Sequence, residues 1–228
     1  MDINSEILTR LKQLADTDYA RFTAKLVPTV TLDRFIGVRT PALRHLARDY
    51  AANYRIDEFL TCLPHHFFEQ AQLHAFIIAL SKEFDQCMTR LDAFLPHVDN
   101  WATCDQLSPR LFKRNRHLLR SHAMRWLDSE HIYTRRFAIV TLMNNFLDTD
   151  FNDRILHCVA AIRSDEYYIT MAQAWYLATA LAKQPEATLP LLDSRSLHPT
   201  LHKLTIRKAV ESFRVSPELK LHLKQLRT

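Results

Sequence analysis

A carboxylate and an aromatic ring one helical turn apart are the residues of this sequence best suited to chemistry. Trp101 and Asp105 stand at positions i and i+4 in the run DNWATCD, so on a helix both side chains lie on the same face. Arg136 and Trp175 offer this carboxylate a cation and a second indole. One acid, one cation and two indoles suit a transition state that carries positive charge. A structural alternative is common, because helical tryptophans often pack in cores and aspartates often cap helices.

The positive charge of the chain is concentrated in the stretch that follows this carboxylate. Between residues 108 and 136 eight basic residues stand against two acidic ones, a local excess of +6, whereas the rest of the chain sums to −1 and the whole chain to +5. Clustered cations bind a polyphosphate backbone, because neutralising phosphates releases condensed counterions. A solvated helix face is the other explanation of such a run.

One helix is predicted over residues 109–127, with an apolar and a basic side. At about 100° per residue the apolar side contains Leu111, Leu118, Leu119 and Trp126. The residues predicted on the basic side are Arg110, Lys113, Arg114, Arg116, Arg120 and Arg125.

Helical periodicity runs through nearly the whole chain, and no segment shows sustained alternation of period two. Thr40 followed by Pro41 predicts a helix start, with the Thr40 hydroxyl as N-cap. The other predicted helices are 2–16, 18–26, 64–81, 85–95, 100–107, 129–146, 150–162, 164–183, 185–192, 199–213 and 217–226. A dozen short helices with short loops favour an all-α protein, a curved α-solenoid of HEAT-like helical repeats with a concave groove. Without a linker of distinct composition, a single domain over residues 1–228 is predicted.

Composition excludes several classes of function. Gly37 is the one glycine of 228 residues, against a usual share of about 7%, so glycine-rich phosphate loops of the Rossmann and P-loop kinds are excluded and no nucleotide cofactor is expected. The four cysteines lack CxxC spacing, which indicates a reducing compartment and packing roles. They are Cys62, Cys87, Cys104 and Cys158.

Metal and membrane functions are not predicted either. His198 and His202 have helical i, i+4 spacing and His65 stands beside His66, but neither pair has a nearby third ligand. No signal peptide and no apolar run of about 18 residues occurs, so we expect a soluble, cytoplasmic protein without a membrane partner.

Four runs, in order along the chain, resemble the AlkD-type DNA alkylation repair proteins, which are HEAT-like repeat DNA glycosylases. They are IGVRTPALRHLA, VDNWATCD, TRRFAIV and IRKAVESFRVS, spread over about residues 36 to 216. The resemblance implies a monomer without cofactor, found with the nucleoid, whose concave groove is basic. That groove would hold duplex DNA by its phosphate backbone, and the protein would excise cationic N3- and N7-alkylated purines.

The same resemblance assigns roles to matching positions. Trp101 and Trp175 resemble the tryptophans that pack against the deoxyribose of the lesion, and Asp105 resembles the catalytic carboxylate. Arg136 resembles an arginine that contacts the DNA backbone, with the adjacent Arg135 as an alternative. The other residues predicted to bind DNA are Arg39, Arg44, Lys113, Arg114, Lys203, Arg207 and Arg214.

Two segments are expected to hold DNA phosphates. A turn from Gly37 to Pro41, with Arg48 nearby, would present free backbone N–H groups at a helix start to one phosphate. Lys203 and Arg207 share a helix face and would reach the opposite flank of the duplex, with Lys208 and Arg214 close by.

The sequence departs from the family pattern around the second tryptophan. The family reads like IRKAIGWALR there, whereas this chain reads ITMAQAWYLA, with Thr170, Met171 and Ala178 in place of cations. Ala174 and Trp175 complete an apolar stripe, which leaves a core role for Trp175 open. Three functions therefore remain: a monofunctional glycosylase, since no lysine is placed as a Schiff-base nucleophile; a noncatalytic binder of damaged or distorted DNA; and a protein-binding HEAT adaptor.

Overall fold

The computed structural model of the protein describes residues 2–148 and 150–226, and all of its regular elements within those ranges are helical. The chain forms two compact units, Met1–Asn115 and Arg116–Thr228. The first contains α1 (Ile3–Gln13), α2 (Thr17–Leu26), α3 (Thr40–Tyr50), α4 (Ile56–Thr61), α5 (Phe68–Ala79), α6 (Phe84–Phe94) and α7 (Trp101–Gln106). The second contains α8 (Arg116–Leu127), α9 (Ile132–Asn145), α10 (Asp153–Ala161), α11 (Tyr167–Lys183), α12 (Pro185–Asp193), α13 (Pro199–Glu211) and α14 (Pro217–Gln225).

Helix α5 is the centre of the first unit. Its apolar residues point in all directions and most of them are buried, as expected of a helix surrounded by others. Helices α1, α3, α6 and α7 pack around it. Side-chain caps fix where neighbouring helices begin: Asp2 accepts the N–H of Ser5 at the start of α1, and Asp16 accepts the N–H of Tyr19 at the start of α2.

The second unit has a repetitive arrangement. Helix α9 packs against α11 and α11 packs against α13, while each of the other four helices packs on one of these three. Ten of the 14 residues of α9 and ten of the 17 residues of α11 are buried. Such stacked helical pairs are consistent with the predicted helical solenoid. The curvature, the basic groove and the single-domain organisation stay predictions.

The turn before α3 requires a glycine, and its N–H groups bind a carboxylate of the protein itself. Gly37 has a φ of 90°, and an added Cβ would lie 2.0 Å from the carbonyl oxygen of Asp16. The N–H groups of Ile36, Gly37 and Val38 donate to the carboxylate of the buried Glu69, at 2.9, 2.7 and 3.3 Å. The prediction that this turn offers free N–H groups to a phosphate is therefore wrong for Gly37 and Val38, because the Glu69 carboxylate of α5 already accepts their hydrogen bonds.

Burial raises the pKa of the Glu69 carboxyl above its ordinary value. The N–H donors of Ile36, Gly37 and Val38 oppose this shift, because they favour the ionised form. The residue is 1% exposed. A long-range contact between α5 and the preceding loop thus holds the start of α3.

The predicted helix over residues 109–127 is interrupted. Residues Arg110–Arg114 form a 3-10 helix, and α8 begins at Arg116 after Asn115 leaves helical geometry. The Asn115 amide donates to the carbonyl of Leu111 at 2.9 Å, the kind of side-chain to backbone bond that ends helices. The single basic face predicted here is wrong, and Leu118, predicted in its apolar side, is 43% exposed.

Smaller differences concern helix ends. Arg39 is the N-cap of α3 and Thr40 its first residue, so the predicted Thr40 cap is wrong. Helix α5 begins at Phe68 and not at residue 64, and Gln70 accepts the N–H of Phe67 at this start. Helix α4 was not predicted, since six residues carry little periodicity. The packing role predicted for the cysteines is confirmed for Cys87 and Cys104, which are buried, and is wrong for Cys62, which is exposed.

Candidate functional site

Helix α7 carries the predicted carboxylate, and a buried polar network holds this helix in place. Asn100 caps the helix by accepting the N–H of Thr103 at 2.8 Å. The Thr103 hydroxyl accepts a hydrogen bond from Gln72 of α5, whose amide oxygen accepts one from Gln106 at 3.3 Å. Asn100, Gln72 and Thr103 are almost fully buried. Bonds of this kind fix both the axial position and the rotation of a six-residue helix.

Trp101 is the first residue of α7 and is anchored to α2. Its indole N–H donates to the carbonyl of Leu26 at 3.1 Å. The ring is partly buried and packs against a cluster that includes Val27, Phe35 and Phe68. The side chain is therefore held in one orientation and keeps part of its surface in solvent.

Asp105 lies on the wall of a pocket in the first unit. The pocket has a volume of about 420 Å³, and the carboxylate is partly exposed there. Its other residues with charged or polar side chains are Arg44, Arg48, Arg110, Gln106 and Ser108, and its apolar ones are Ala47, Phe76, Ala79 and Leu80. One acid thus shares a pocket with three arginines.

Arg44 is positioned by two contacts in this pocket. Its guanidinium carbon lies 4.3 Å from the centre of the Phe76 ring, and one of its nitrogens donates to Gln106 at 3.4 Å. Arg48 follows one turn later on α3 and is exposed. Of the catalytic and DNA-binding residues predicted from the sequence, Asp105 and Arg44 line this pocket together. The pocket also contains Arg110, which the sequence placed only on a basic helix face.

Other predicted DNA-binding residues of the first unit lie outside this pocket. Arg39 pairs with Asp16 at 2.9 Å and lies over the Tyr19 ring at 4.8 Å. Lys113 and Arg114 are exposed in the 3-10 helix. Pairing with Asp16 offsets the charge of Arg39, so this residue offers less attraction to a phosphate than its sequence context indicated.

The two adjacent arginines of α9 donate to backbone carbonyls in the second unit. Arg136 is 7% exposed and donates to the carbonyl of Tyr168 at 2.7 Å. Arg135 donates to the carbonyl of Leu127 at 3.1 Å. Both therefore have a local structural role as well, and their contact with DNA stays a prediction.

Trp175 is a surface residue and not a core residue. It is 40% exposed on α11 and lines a pocket of about 340 Å³ in the second unit. The rest of the pocket consists of Ala178, Thr179, Ala182, Lys208, Glu211, Ser212 and Arg214. The cations that the sequence of α11 lacks are supplied here by α13 and the loop after it. Sequence reasoning placed Lys208 and Arg214 near the far end of the protein but not beside Trp175.

The remaining predicted cations of α13 differ in their surroundings. Lys203 is exposed. Arg207 pairs with Glu211 at 3.3 Å. Because Arg207 balances Glu211, Lys208 and Arg214 leave the Trp175 pocket with an excess of positive charge.

Histidines form a pair that the sequence did not indicate. His65 and His74 are hydrogen-bonded through ring nitrogens 2.8 Å apart, and burial lowers the pKa of His65 to about 4 and that of His74 well below its ordinary range. His202 contacts the carbonyl of Leu226 at 3.1 Å. Within residues 2–148 and 150–226 no group of three or more His, Cys, Asp or Glu side chains is arranged to hold a metal ion.

A family model described as DNA alkylation repair enzyme matches residues 7–213. The chain therefore belongs to the DNA alkylation repair enzyme family, which confirms the resemblance found in the four sequence runs and indicates an enzymatic role in DNA repair. A comparison with curated proteins gave no match. No helix in the described part of the chain is long and apolar enough to cross a membrane.

Proposed function

We propose that this protein is a monofunctional DNA glycosylase that hydrolyses the N-glycosidic bond of cationic N3- and N7-alkylated purines in duplex DNA. Asp105 is the catalytic carboxylate, and Trp101 and Trp175 contact the deoxyribose. Clustered arginines and lysines bind the phosphate backbone. The protein acts as a monomer with HEAT-like repeats and needs no cofactor.

The observation that carries this proposal is the composition of the Asp105 pocket. Arg44, Arg48 and Arg110 line it together with the carboxylate. Cations alone would suit any phosphate, and a lone acid would repel DNA. An acid among three arginines instead suits a nucleotide, whose phosphate needs positive partners while its sugar becomes positive during bond cleavage.

The chemistry needs little more than this arrangement. Alkylation at N3 or N7 makes the purine a cation and a good leaving group, so no acid has to protonate it. As the bond from C1′ to the base nitrogen breaks, positive charge grows on the sugar, where the Asp105 carboxylate stabilises it and orients the attacking water. Trp101 is held by its hydrogen bond to Leu26, and the network through Gln106 holds helix α7, which carries Asp105. Both limit reorganisation during the reaction.

The test is release of 7-methylguanine from a duplex that contains one such base, measured by chromatography. We expect Asp105→Asn to lower the rate about 10²- to 10³-fold, the usual effect of removing one such electrostatic contact. Asp85→Asn is the matched control, because Asp85 is exposed at the first turn of α6 in the same unit. Equal rates for Asp105→Asn and the wild type would refute the catalytic assignment.

A noncatalytic binder of damaged or distorted DNA is the second candidate. The sequence of α11 favours it, since no charged residue lies within one turn of Trp175 on that helix. If the wild type releases no base but binds duplex DNA with a steep dependence on salt, this candidate replaces the glycosylase. If the wild type binds no DNA even at low salt, both fail and a protein-binding role remains.

A further inference from the structure

The loop between α13 and α14 exposes a large aromatic side chain completely. Phe213 has a relative solvent accessibility of 103%. The turn that presents it is anchored on both sides: the N–H of Ser212 donates to the carbonyl of Ala209 and the N–H of Arg214 donates to the Ser212 hydroxyl, while Val215 is buried. A turn with defined hydrogen bonds therefore holds the ring in water, where its apolar surface contributes no burial energy to the fold.

The residues on either side of Phe213 belong to a pocket that contains an aromatic ring and cations. Ser212 and Arg214, on either side of Phe213, line the pocket that contains Trp175 and Lys208. Neither Lys208 nor Arg214 pairs with a carboxylate among the described residues, and Glu211 is already paired with Arg207. The exposed Trp175 ring and two cations whose charge is not balanced locally thus line one pocket of the second unit, and Phe213 lies between two residues of that pocket in the sequence.

We propose that Phe213 is a base-stacking residue, and that Trp175, Phe213, Lys208 and Arg214 together form a platform for a DNA strand whose base stack is interrupted. The proposal rests on the proposed function, because it names how the same protein holds its DNA. Phe213 packs against the face of a base exposed at the interruption, and Lys208 and Arg214 bind the flanking phosphates.

Charge and aromatic content favour DNA as the occupant of this surface. Stacking on aromatic side chains beside basic residues is how proteins hold unpaired or unstacked nucleotides. An unstacked base is easiest to reach where the duplex is damaged, since less stacking energy must be spent there. A protein partner would instead be met by a wider apolar surface, whereas Lys208, Glu211 and Arg214 line the pocket together with Trp175 here.

The experiment compares binding of the full-length protein to two duplexes, one intact and one with a single tetrahydrofuran abasic-site analogue. Phe213→Ala is expected to weaken binding to the analogue duplex about 5- to 100-fold, as base stacking on aromatic residues does, and to change binding to the intact duplex much less. Phe213→Tyr keeps the ring and should retain the affinity. Lys208→Ala and Arg214→Ala should each weaken binding to both duplexes and reduce the slope of log affinity against log salt by about 1.

Tyr54→Ala is the matched control, because Tyr54 is 92% exposed in the loop before α4 of the first unit and should alter neither affinity. If Phe213→Ala binds both duplexes like the wild type, or if Phe213→Tyr loses as much as Phe213→Ala, the stacking proposal is wrong while the glycosylase proposal stands. If the wild type binds neither duplex, both proposals are wrong. Since the side chain is fully exposed, these substitutions are not expected to affect folding.

Discussion

At the scale of single residues, Glu69 shows how the protein stabilises a buried carboxylate. The Glu69 carboxylate accepts hydrogen bonds from three backbone N–H groups of the loop before α3. Among the described residues, these N–H groups have no other acceptor. A buried carboxylate is costly, but unsatisfied buried N–H groups are costly as well. The contact therefore stabilises the loop and the helix that carries Arg44 and Arg48.

Glu69→Gln tests this role at the level of one residue. The amide offers a single acceptor oxygen and turns its NH₂ group toward the backbone donors, so buried N–H groups lose partners. We expect the free energy of unfolding in urea to fall by about 1–3 kcal/mol. Glu83→Gln is the control, since Glu83 is exposed at the start of α6 and makes no capping hydrogen bond. Equal stability of the two variants would contradict the argument.

At the scale of elements, the short helix α7 depends on its cap. With six residues, it is too short to be stable without tertiary contacts. Asn100 and the network through Thr103, Gln72 and Gln106 provide these contacts. Trp101 and Asp105 both lie on this helix, so the geometry of the proposed site depends on the network.

Asn100→Ala should therefore affect both stability and activity. Loss of an N-cap costs about 0.5–2 kcal/mol, and a small displacement of α7 can lower the rate of base release by as much as about 10²-fold. Thermal unfolding and the release of 7-methylguanine measure the two effects.

Asn152→Ala provides the comparison, because Asn152 caps α10 of the second unit by accepting the N–H of Arg154 at 2.9 Å. This variant should lose similar stability and keep its activity. Equal activity of the Asn100 and Asn152 variants would show that the cap of α7 does not position the site.

On the scale of the whole molecule, buried histidines link stability to pH. His65 and His74 lie between the rings of Phe59 and Phe94. Burial is the main cause of their lowered pKa values. Electrostatic interaction with His97 lowers the pKa of His65 further, and interaction with His65, Arg90 and His97 lowers that of His74. Both rings are neutral in the folded protein at neutral pH, whereas an unfolded chain takes up protons below the ordinary histidine pKa of 6.5.

The free energy of unfolding should therefore fall as the pH falls below 6.5, toward about 4 for His65. Each of the two histidines is expected to contribute up to about 1.4 kcal/mol per pH unit. Urea unfolding between pH 7.5 and 5.5 measures this in a range above the ordinary pKa values of carboxylates. The variant His65→Leu/His74→Leu should show a flatter profile, and His45→Ala, which removes an exposed histidine, should not. A wild-type stability that stays constant over this range would disprove the linkage.

Sequence alone predicted most of the helices and the family, and it singled out Asp105 as the candidate carboxylate. Helix periodicity and caps depend on residues within a few positions of each other, and so does the i, i+4 relation of Trp101 and Asp105. The same local reasoning failed at Asn115, where a side-chain hydrogen bond interrupts a continuous apolar pattern.

Only the tertiary structure decided which groups meet across the chain. Glu69 fills the turn at Gly37, Asp16 pairs with Arg39, and Lys208 and Arg214 reach Trp175 from another helix. These partners lie 23 or more residues apart in sequence, and their meeting depends on how whole helices pack. Helical periodicity states which face of a helix is buried, but it contains no information about the helix that covers that face.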